Sequence, residues 1–239
     1  MSELWVTRLG RIDYDDALDL QHRLRDARAD SLIADTLLLL EHPPVYTRGR
    51  RSESSELPMG ENWYRQQGIA IRDVERGGKV TYHGPGQLVG YPILDTAIVA
   101  RDIPRLVSTI EQAMIAALAA EAVDARPDAA GRGVWAGADG TEGKIGSIGL
   151  HVANGVSTHG FMVNVDNDLQ PFTWIKPCGL DDAATSIAEQ TGVSGRMNCF
   201  SKRVAYELAS RLGLRQRLVS KPRLLAALDR APCPQPATI

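Results

Sequence analysis

The chain is short of several things, and each shortage closes off a class of function. Cysteine occurs only at Cys178, Cys199 and Cys233, an odd set with no CxxC spacing, which argues against a disulfide framework or a zinc knuckle and for free thiols. No apolar run is long enough to span a bilayer, and the opening MSELWVTRLGRIDYDD acquires charge before an apolar h-region can form. The expectation is a cytoplasmic protein without membrane contact. The net charge of -2 and pI near 6.2 give no global pull toward nucleic acid. Lysine is scarce beside arginine, with Lys79, Lys144, Lys176, Lys202 and Lys221 the whole set. That makes Lys144 informative, because a desolvated amine can titrate near neutral pH and a guanidinium cannot.

At 239 residues and 26.0 kDa the chain can bury a full core as one large domain. Its unusual chemistry lies between Gly143 and Gly179, in GKIGSIGLHVANGVSTHGFMVNV and IKPCGL. Cys178 stands between Pro177, whose ring fixes φ, and Gly179, which accepts conformations other residues avoid, so the thiol is expected on a sharp bend, as a nucleophile is presented. Asn154-Gly155 is the dipeptide that best fits a two-residue type I′ hairpin. Counting back from it sets Gly149 opposite Gly160 and Ile148 opposite Phe161. Facing glycines mark a close approach by a ligand or another backbone, and the reading favoured is a binding cleft flanked by Ser147 and Met162. Strict alternation places Lys144, Ile148, His159 and Phe161 on one face and His151 on the other, so the two hairpin histidines should not share a metal, and no metal site is expected.

Leu4 to Leu9 reads as a strand, and Asp13 as the N-cap of a helix reaching Ala29 with Ala17, Leu20, Leu24 and Ala27 on one face. Thr36 to Leu40 is a buried strand stopped by Pro43 and Pro44. A surface loop is expected from Arg48 to about Asn62, with Arg48, Arg50 and Arg51 as the densest basic cluster, either solvated or a docking point for an acidic partner. Ile69 to Val74 alternates as a strand and leads into RGGKVTYHGPGQLVGYP, whose glycines suit either a plain turn cluster or a loop with N–H groups open to a ligand. His83 within it is more often a structural hydrogen-bonder than a catalyst. Pro104 opens a helix through Ala120, Val123 to Asp124 and Gly133 to Trp135 read as short strands, Thr185 to Gln190 as a strand or short helix, and Ser201 to Leu212 as a helix closed by Gly213. The domain division expected is 1–218 as one catalytic domain and 219–239 as a short helix with a proline-rich tail.

RGGKVTYHGPGQLVGYP, KIGSIG, HGFMVNV and IKPCGL, in that order and with EHPPVYTRG ahead of them, resemble the lipoyl(octanoyl) transferases. The resemblance implies an α/β fold of the α+β type, a mixed, largely antiparallel sheet packed by helices, similar to the catalytic domain of biotin and lipoate protein ligases. It implies Cys178 as the nucleophile that forms a thioester and Lys144 as its partner. Residues matching the family's substrate-binding positions are Arg76, Gly77, Gly78, Lys79, Val80, Thr81, Tyr82 and His83, then Ser147, Ile148, Gly149, Gly160, Phe161 and Met162, with His159 as a supporting candidate. The implied donor is octanoyl on the phosphopantetheine arm of acyl carrier protein. The implied acceptors are the lipoyl domains of 2-oxoacid dehydrogenase acyltransferase subunits and the H protein of glycine cleavage. No cofactor is expected, and a monomer is. The chemistry is sound on its own terms: an ammonium near a thiol with an ordinary pKa of about 8.5 raises its reactive fraction, and thioester to amide transfer runs downhill without ATP. Burying about seven methylene and methyl groups at roughly 0.8 kcal/mol each favours a medium acyl chain over acetyl. Alternatives are an octanoyl amidotransferase working between lipoyl domains, an ATP-dependent lipoate or biotin protein ligase, which needs no nucleophilic cysteine, and a non-catalytic acyl-binding module with a buried structural cysteine.

Overall fold

The computed structural model describes residues 2–99, 102–128, 133–138, 142–176 and 183–229. Pro177, Cys178, Gly179 and Cys233 lie outside the described residues. In chain order the elements are β1 (Glu3–Arg11), α1 (Tyr14–Ala29), β2 (Asp35–Glu41), β3 (Val45–Arg48), α2 (Glu61–Gln66), β4 (Ala70–Asp73), β5 (Thr81–His83) and β6 (Gln87–Ile93). They continue with α3 (Thr96–Val99), α4 (Ile103–Ala119), β7 (Ala125–Pro127), β8 (Gly133–Ala136), β9 (Gly143–Ala153) and β10 (Val156–Asn164). Last come α5 (Gln170–Thr173), α6 (Ile187–Thr191), α7 (Met197–Arg211), β11 (Arg215–Leu218) and α8 (Lys221–Leu228).

An eight-stranded sheet runs β11-β1-β2-β6-β10-β9-β8-β7, parallel only where β1 meets β11 and β2. The architecture is therefore the mixed, largely antiparallel sheet with helices that the sequence implied. Asp35–Glu41 shows why it is covered on both sides: Leu37 and Leu39 pack with α4 and α7, Leu38 and Leu40 with α1 and α8. A strand apolar at every position can rest only inside two layers. The helix α1 buries the predicted Ala17, Leu20, Leu24 and Ala27, and α4 begins at Asp102, whose carboxylate accepts from the Arg105 N–H at 2.7 Å, with Pro104 in its first turn. Residues 219–229 close the second layer: Val219 N donates to Val6 O, and Leu224 and Leu228 are buried there. No helix among the described residues is long and apolar enough to cross a membrane.

A second sheet, β4-β3-β5, is packed with a cluster of large rings. Tyr46, Trp63, Tyr64, Tyr82, Phe172 and Trp174 meet mostly edge to face at centroid distances of 5.2–5.5 Å. The expected loop after Arg48 is largely exposed as far as Gly60, but it holds a 3-10 turn at Ser54–Glu56, buries Glu56 and Leu57 against this unit and gives way to α2 at Glu61.

Where this sheet meets α1 lies a buried polar layer. Tyr91 donates from its hydroxyl to His42 Nε2, His42 donates from Nδ1 to Ile12 O, and the His83 ring stacks on Tyr14. Burial pushes His42 down to about 4, and His83 and His159 down to about 3, with neighbouring charges, Arg76 among them, adding to the depression at His83 and His159. All three are neutral in the folded protein near pH 7. Unfolded, they regain an ordinary pKa near 6.5, so below that the unfolded chain binds protons the native state refuses. Stability held above about pH 6.5 should be lost as pH falls toward 3, with unfolding near pH 5 taking up about three protons from these groups. Urea midpoints between pH 8 and pH 4 check this; a flat profile from pH 7 to pH 5 contradicts it.

Candidate active site

The hairpin register is the one the turn dictates. Asn154 and Gly155 both take positive φ, 53° and 75°, and Gly149 faces Gly160 while Ile148 faces Phe161. The face assignment fails on one residue. Between β8 and β9 the register shifts, Val134 lying opposite Gly146 and Trp135 opposite Lys144, so Ile145 is an extra residue in β9. Ile145 is fully buried in the α4 core, and a Cβ at Gly146 would run into the Met114 methyl at 2.4 Å on that same side. Lys144 is thereby turned the other way. Along β9 as far as Leu150 the half-exposed positions are Lys144, Ser147 and Gly149, with Ile148 buried against α4.

Two further expectations need correction. Ile148 and Phe161 belong to the α4 core, the Phe161 ring lying across Gly90, so they do not share the open face with Lys144. The gap at the facing glycines is filled by protein: a Cβ at Gly149 would lie 2.9 Å from Gly77 O and 3.1 Å from Arg76 Cδ, and one at Gly160 would lie 2.0 Å from Gly90 O. Bare backbone on the hairpin seats the glycine loop, and Gly77 N donates to Leu150 O to lock it there. His159 takes φ +56°, which breaks strand alternation. The charges that bear on it are those of Arg76, His151 and His22. Its N–H donates to Gln21 Oε1 at 2.7 Å, and among the described residues its ring nitrogens and Gln21 Nε2 have no hydrogen-bond partner.

The 76–83 loop is held from within. Arg76 is buried, its guanidinium donating to Thr47 O, Thr47 Oγ1 and Gly77 O. Val80 N donates to the buried Glu56 carboxylate at 2.9 Å, which also ion-pairs Lys79 at 3.1 Å. The N–H groups of Gly77, Val80 and Gly86 are thus spent inside the protein rather than offered to a ligand. The half-exposed members of the stretch are Gly77, Gly78, Lys79 and Thr81. Arg48 is not free to dock anything: it is clamped by Asp73 through Nε and Nη2 at 2.7 and 2.9 Å and by Glu61 at 2.7 Å, leaving Arg50 and Arg51 exposed.

The segments on either side of 177–182 are tied to this site. Ahead of it, Tyr46 and Tyr64 donate their hydroxyls to Pro171 O and Trp174 O, both at 2.6 Å, and Lys176 N donates to Glu56 O. Behind it, Lys144 N donates to Ala183 O at 2.7 Å and Thr185 N to Lys144 O at 3.2 Å, so 183–185 continues the sheet where β10 has left β9. A buried polar thread joins the motifs: His83 donates to Gln87 Oε1, Gln87 Nε2 to Asn164 Oδ1, and Asn164 Nδ2 to Thr185 O. Lys144 itself points past Gly133, where a Cβ would come 2.9 Å from its Cε, to Asp128, with Nζ 3.1 Å from Oδ2. Sequence reasoning did not single out Glu56, Asp128 or Gly133. Only a buried-acid pattern in a polar loop could have signalled Glu56, and the sequence offers none.

The Lipoyl protein ligase A/B catalytic domain matches residues 13–209 of the chain. The chain belongs to that family. An octanoyltransferase of Solibacter usitatus is 45% identical over 188 residues, 79% of this chain and 84% of the relative. One of Caldicellulosiruptor saccharolyticus is 40% identical over 222 residues, 92% and 93% of the two chains. Among solved structures, a bi-partite lipoate protein ligase of Thermoplasma acidophilum superposes at TM-score 0.71 and 15% identity, covering 96% and 91% of the two chains. Biotin protein ligase of Aquifex aeolicus gives 0.52 and 12%, covering 89% and 70%. These two share the fold.

Glu56 holds the glycine loop through its carboxylate and the segment entering 177–182 through its main-chain oxygen, so loss of the side chain should free the loop at Val80 and Lys79 while the bond to Lys176 N remains. Glu56→Ala is expected to destabilise the protein by about 2–4 kcal/mol, through unpaired buried groups, and to lower kcat/KM for octanoyl transfer at least tenfold. Denaturant midpoints and steady-state rates check this; wild-type values in both contradict it.

Proposed function

We propose that the chain moves an octanoyl group from acyl carrier protein to a lysine of a lipoyl domain through a thioester on Cys178, in the cytoplasm and without ATP. Octanoyl transfer as the reaction rests on relatives of that name at 45% and 40% identity. The observation that carries the Cys178–Lys144 reading is the placement of Lys144. The extra residue in β9 turns its amine onto the half-exposed row with Ser147 and Gly149, and its backbone is bonded to Ala183 and Thr185, just beyond the segment that contains Cys178.

The half-exposed row from Lys144 to Gly149 is long enough for a medium-chain acyl group. From Lys144 to Gly149, allowing for the extra residue, is about four strand rises, or roughly 13 Å. At its far end Arg76 and Gly77 lie across Gly149. An extended octanoyl group measures about 9–10 Å from ordinary bond lengths, which fits with its carbonyl at the lysine end.

In the first half-reaction the Cys178 thiolate adds to the donor's thioester carbonyl, the phosphopantetheine thiolate leaves, and the Lys144 ammonium supplies its proton. In the second, the acceptor lysine amine adds to the enzyme thioester, Lys144 takes the proton the nitrogen gives up, and the Cys178 thiolate leaves, restoring the starting pair. An arginine at 144 could hold a charge but could not carry that proton. The fold is shared with ligases that activate acids, but Pro-Cys-Gly at 177–179 has a task only in the thioester route.

Incubation with octanoyl-acyl carrier protein and no ATP, read by intact mass, should give a hydroxylamine-labile adduct that peptide mapping places on Cys178; mapping matters because Cys199 is exposed. Cys178→Ala should give none, and Lys144→Arg should slow turnover about 100-fold or more. An adduct that needs ATP, or turnover surviving in Cys178→Ala, rules the proposal out. Octanoyl-loaded lipoyl domain accepted as donor in preference to the carrier protein would select the amidotransferase instead.

With Arg48 committed to Asp73 and Glu61, any attraction for an acidic donor protein falls to Arg50 and Arg51, whose backbones hydrogen-bond to Arg76 O and Gly78 O of the glycine loop. KM for the donor should rise with salt, and the double variant Arg50→Gln, Arg51→Gln should flatten that rise. An unchanged salt response in the variant removes this docking role.

A further inference from the structure

The geometry points to Asp128 as the positioning residue of the active lysine, a role that rests on the Cys178–Lys144 reading and adds a third member to it. Three features place its carboxylate. β7 ends at Pro127, and Asp128 N donates to Gly133 O at 3.0 Å, closing the base of the connection to β8. Gly133 N in turn donates to Glu111 Oε1 of α4 at 3.1 Å, so this base is anchored to the helix layer. Gly133 has no side chain, and the space this leaves is the channel through which the Lys144 stem passes, since a Cβ would lie 2.9 Å from Cε and 2.5 Å from Gly146 O. At the end of that channel Nζ and Oδ2 are 3.1 Å apart, with the lysine side chain 25% and the aspartate 12% exposed.

A lysine stem has four rotatable bonds and, unheld, loses much of its freedom only when a reaction demands it. Here one N–H is fixed by Asp128 and two remain for the sulfur and the acyl carbonyl. The arrangement persists through both half-reactions. As an ammonium Lys144 donates to Asp128 while it protonates the leaving thiolate, and as the neutral amine that results it still has an N–H to donate while its lone pair faces the incoming nitrogen. Asp128 touches neither substrate nor the reacting atoms and exchanges no proton in this cycle; it sets the direction in which Lys144 exchanges one. Misplacement of a reacting group by about 1 Å can cost on the order of 100-fold in rate, so the effect belongs in kcat.

The test uses the full chain with octanoyl-acyl carrier protein and a lipoyl domain, and compares Asp128→Asn and Asp128→Glu with wild type. Expected for Asp128→Asn is a kcat lower by roughly 10–100-fold, KM for the donor within about twofold, an unchanged melting temperature, and single-turnover thioester formation on Cys178 slowed by a similar factor. Asp128→Glu, which keeps the charge but moves it by a methylene, should fall between the two. A wild-type kcat in either folded variant overturns the inference, as does a loss confined to KM; if the asparagine variant does not fold, the glutamate variant decides alone. A wild type that forms no Cys178 thioester would mean that the nucleophile reading has failed, whereas a thioester formed equally fast by wild type and Asp128→Asn would mean that only the role of Asp128 has.

Discussion

One extra residue in a strand determines what this site can be. If β9 kept Ile145 but ran without the bulge, Ile145 would turn outward and the Lys144 amine would enter the α4 core beside Ile148; with the bulge, two consecutive residues, Ile145 and Gly146, serve the core and the lysine emerges on the opposite side. A lysine forced into that apolar layer would face a desolvation cost no neighbour there could offset. The bulge is stabilised from both faces. Ile145 supplies buried apolar surface to α4, and Gly146 accepts the Met114 methyl in the space a side chain would fill.

The motif residues that attract attention as candidate substrate contacts are in large part the fastenings of this arrangement. Gln87 and Asn164, both fully buried, have no role as bare polar groups in a sheet interior, yet together they connect His83 to Thr185 and so to the backbone of Lys144. Each such bond contributes only about 1 kcal/mol net, but leaving either amide unpaired would cost more than that, so the thread is stable as a whole or not at all. The aromatic cluster does the same work on the other flank, using the Tyr46 and Tyr64 hydroxyls to fix the chain that enters 177–182.

Most of the fold was legible because it follows from short-range pattern: the apolar run of β2, the helical spacing of α1 and α4, the Asn154-Gly155 turn and the register it dictates. What escaped depends on pairs far apart in sequence. The position of a bulge depends on the strand across from it, here β8, and nothing in KIGSIG marks Ile145 as the added residue. The facing glycines were recognised as a close approach, but whether a ligand or the chain's own Arg76 and Gly77 fills the space is decided some seventy residues away. Arg48 looked available because its partners Asp73 and Glu61 lie in other elements, and the burial of Glu56 within an expected surface loop escaped because the partners of its carboxylate, Val80 and Lys79, lie more than twenty residues on.

The scarcity of lysine now has a physical meaning. Most of the cations that pair with carboxylates in the fold are arginines: Arg28 with Asp35 at 2.8 Å beneath the α1 layer, Arg196 with Glu121 at 2.6 Å between α7 and the end of α4, Arg48 with Asp73 and Glu61 at the edge of the small sheet. A guanidinium makes a forked, directional bond and does not give up its proton, so such pairs fix geometry without chemical consequence. Asp128 meets a lysine instead, at a place where the cation is a quarter exposed and its backbone is joined to the segment that follows Cys178. A lysine in such a pair is not by itself a sign of catalysis, since Lys79 holds the buried Glu56 at 3.1 Å as part of the fold; what sets Lys144 apart is its place, and on the proposed thioester route an amine there can give up and regain a proton, which a guanidinium cannot.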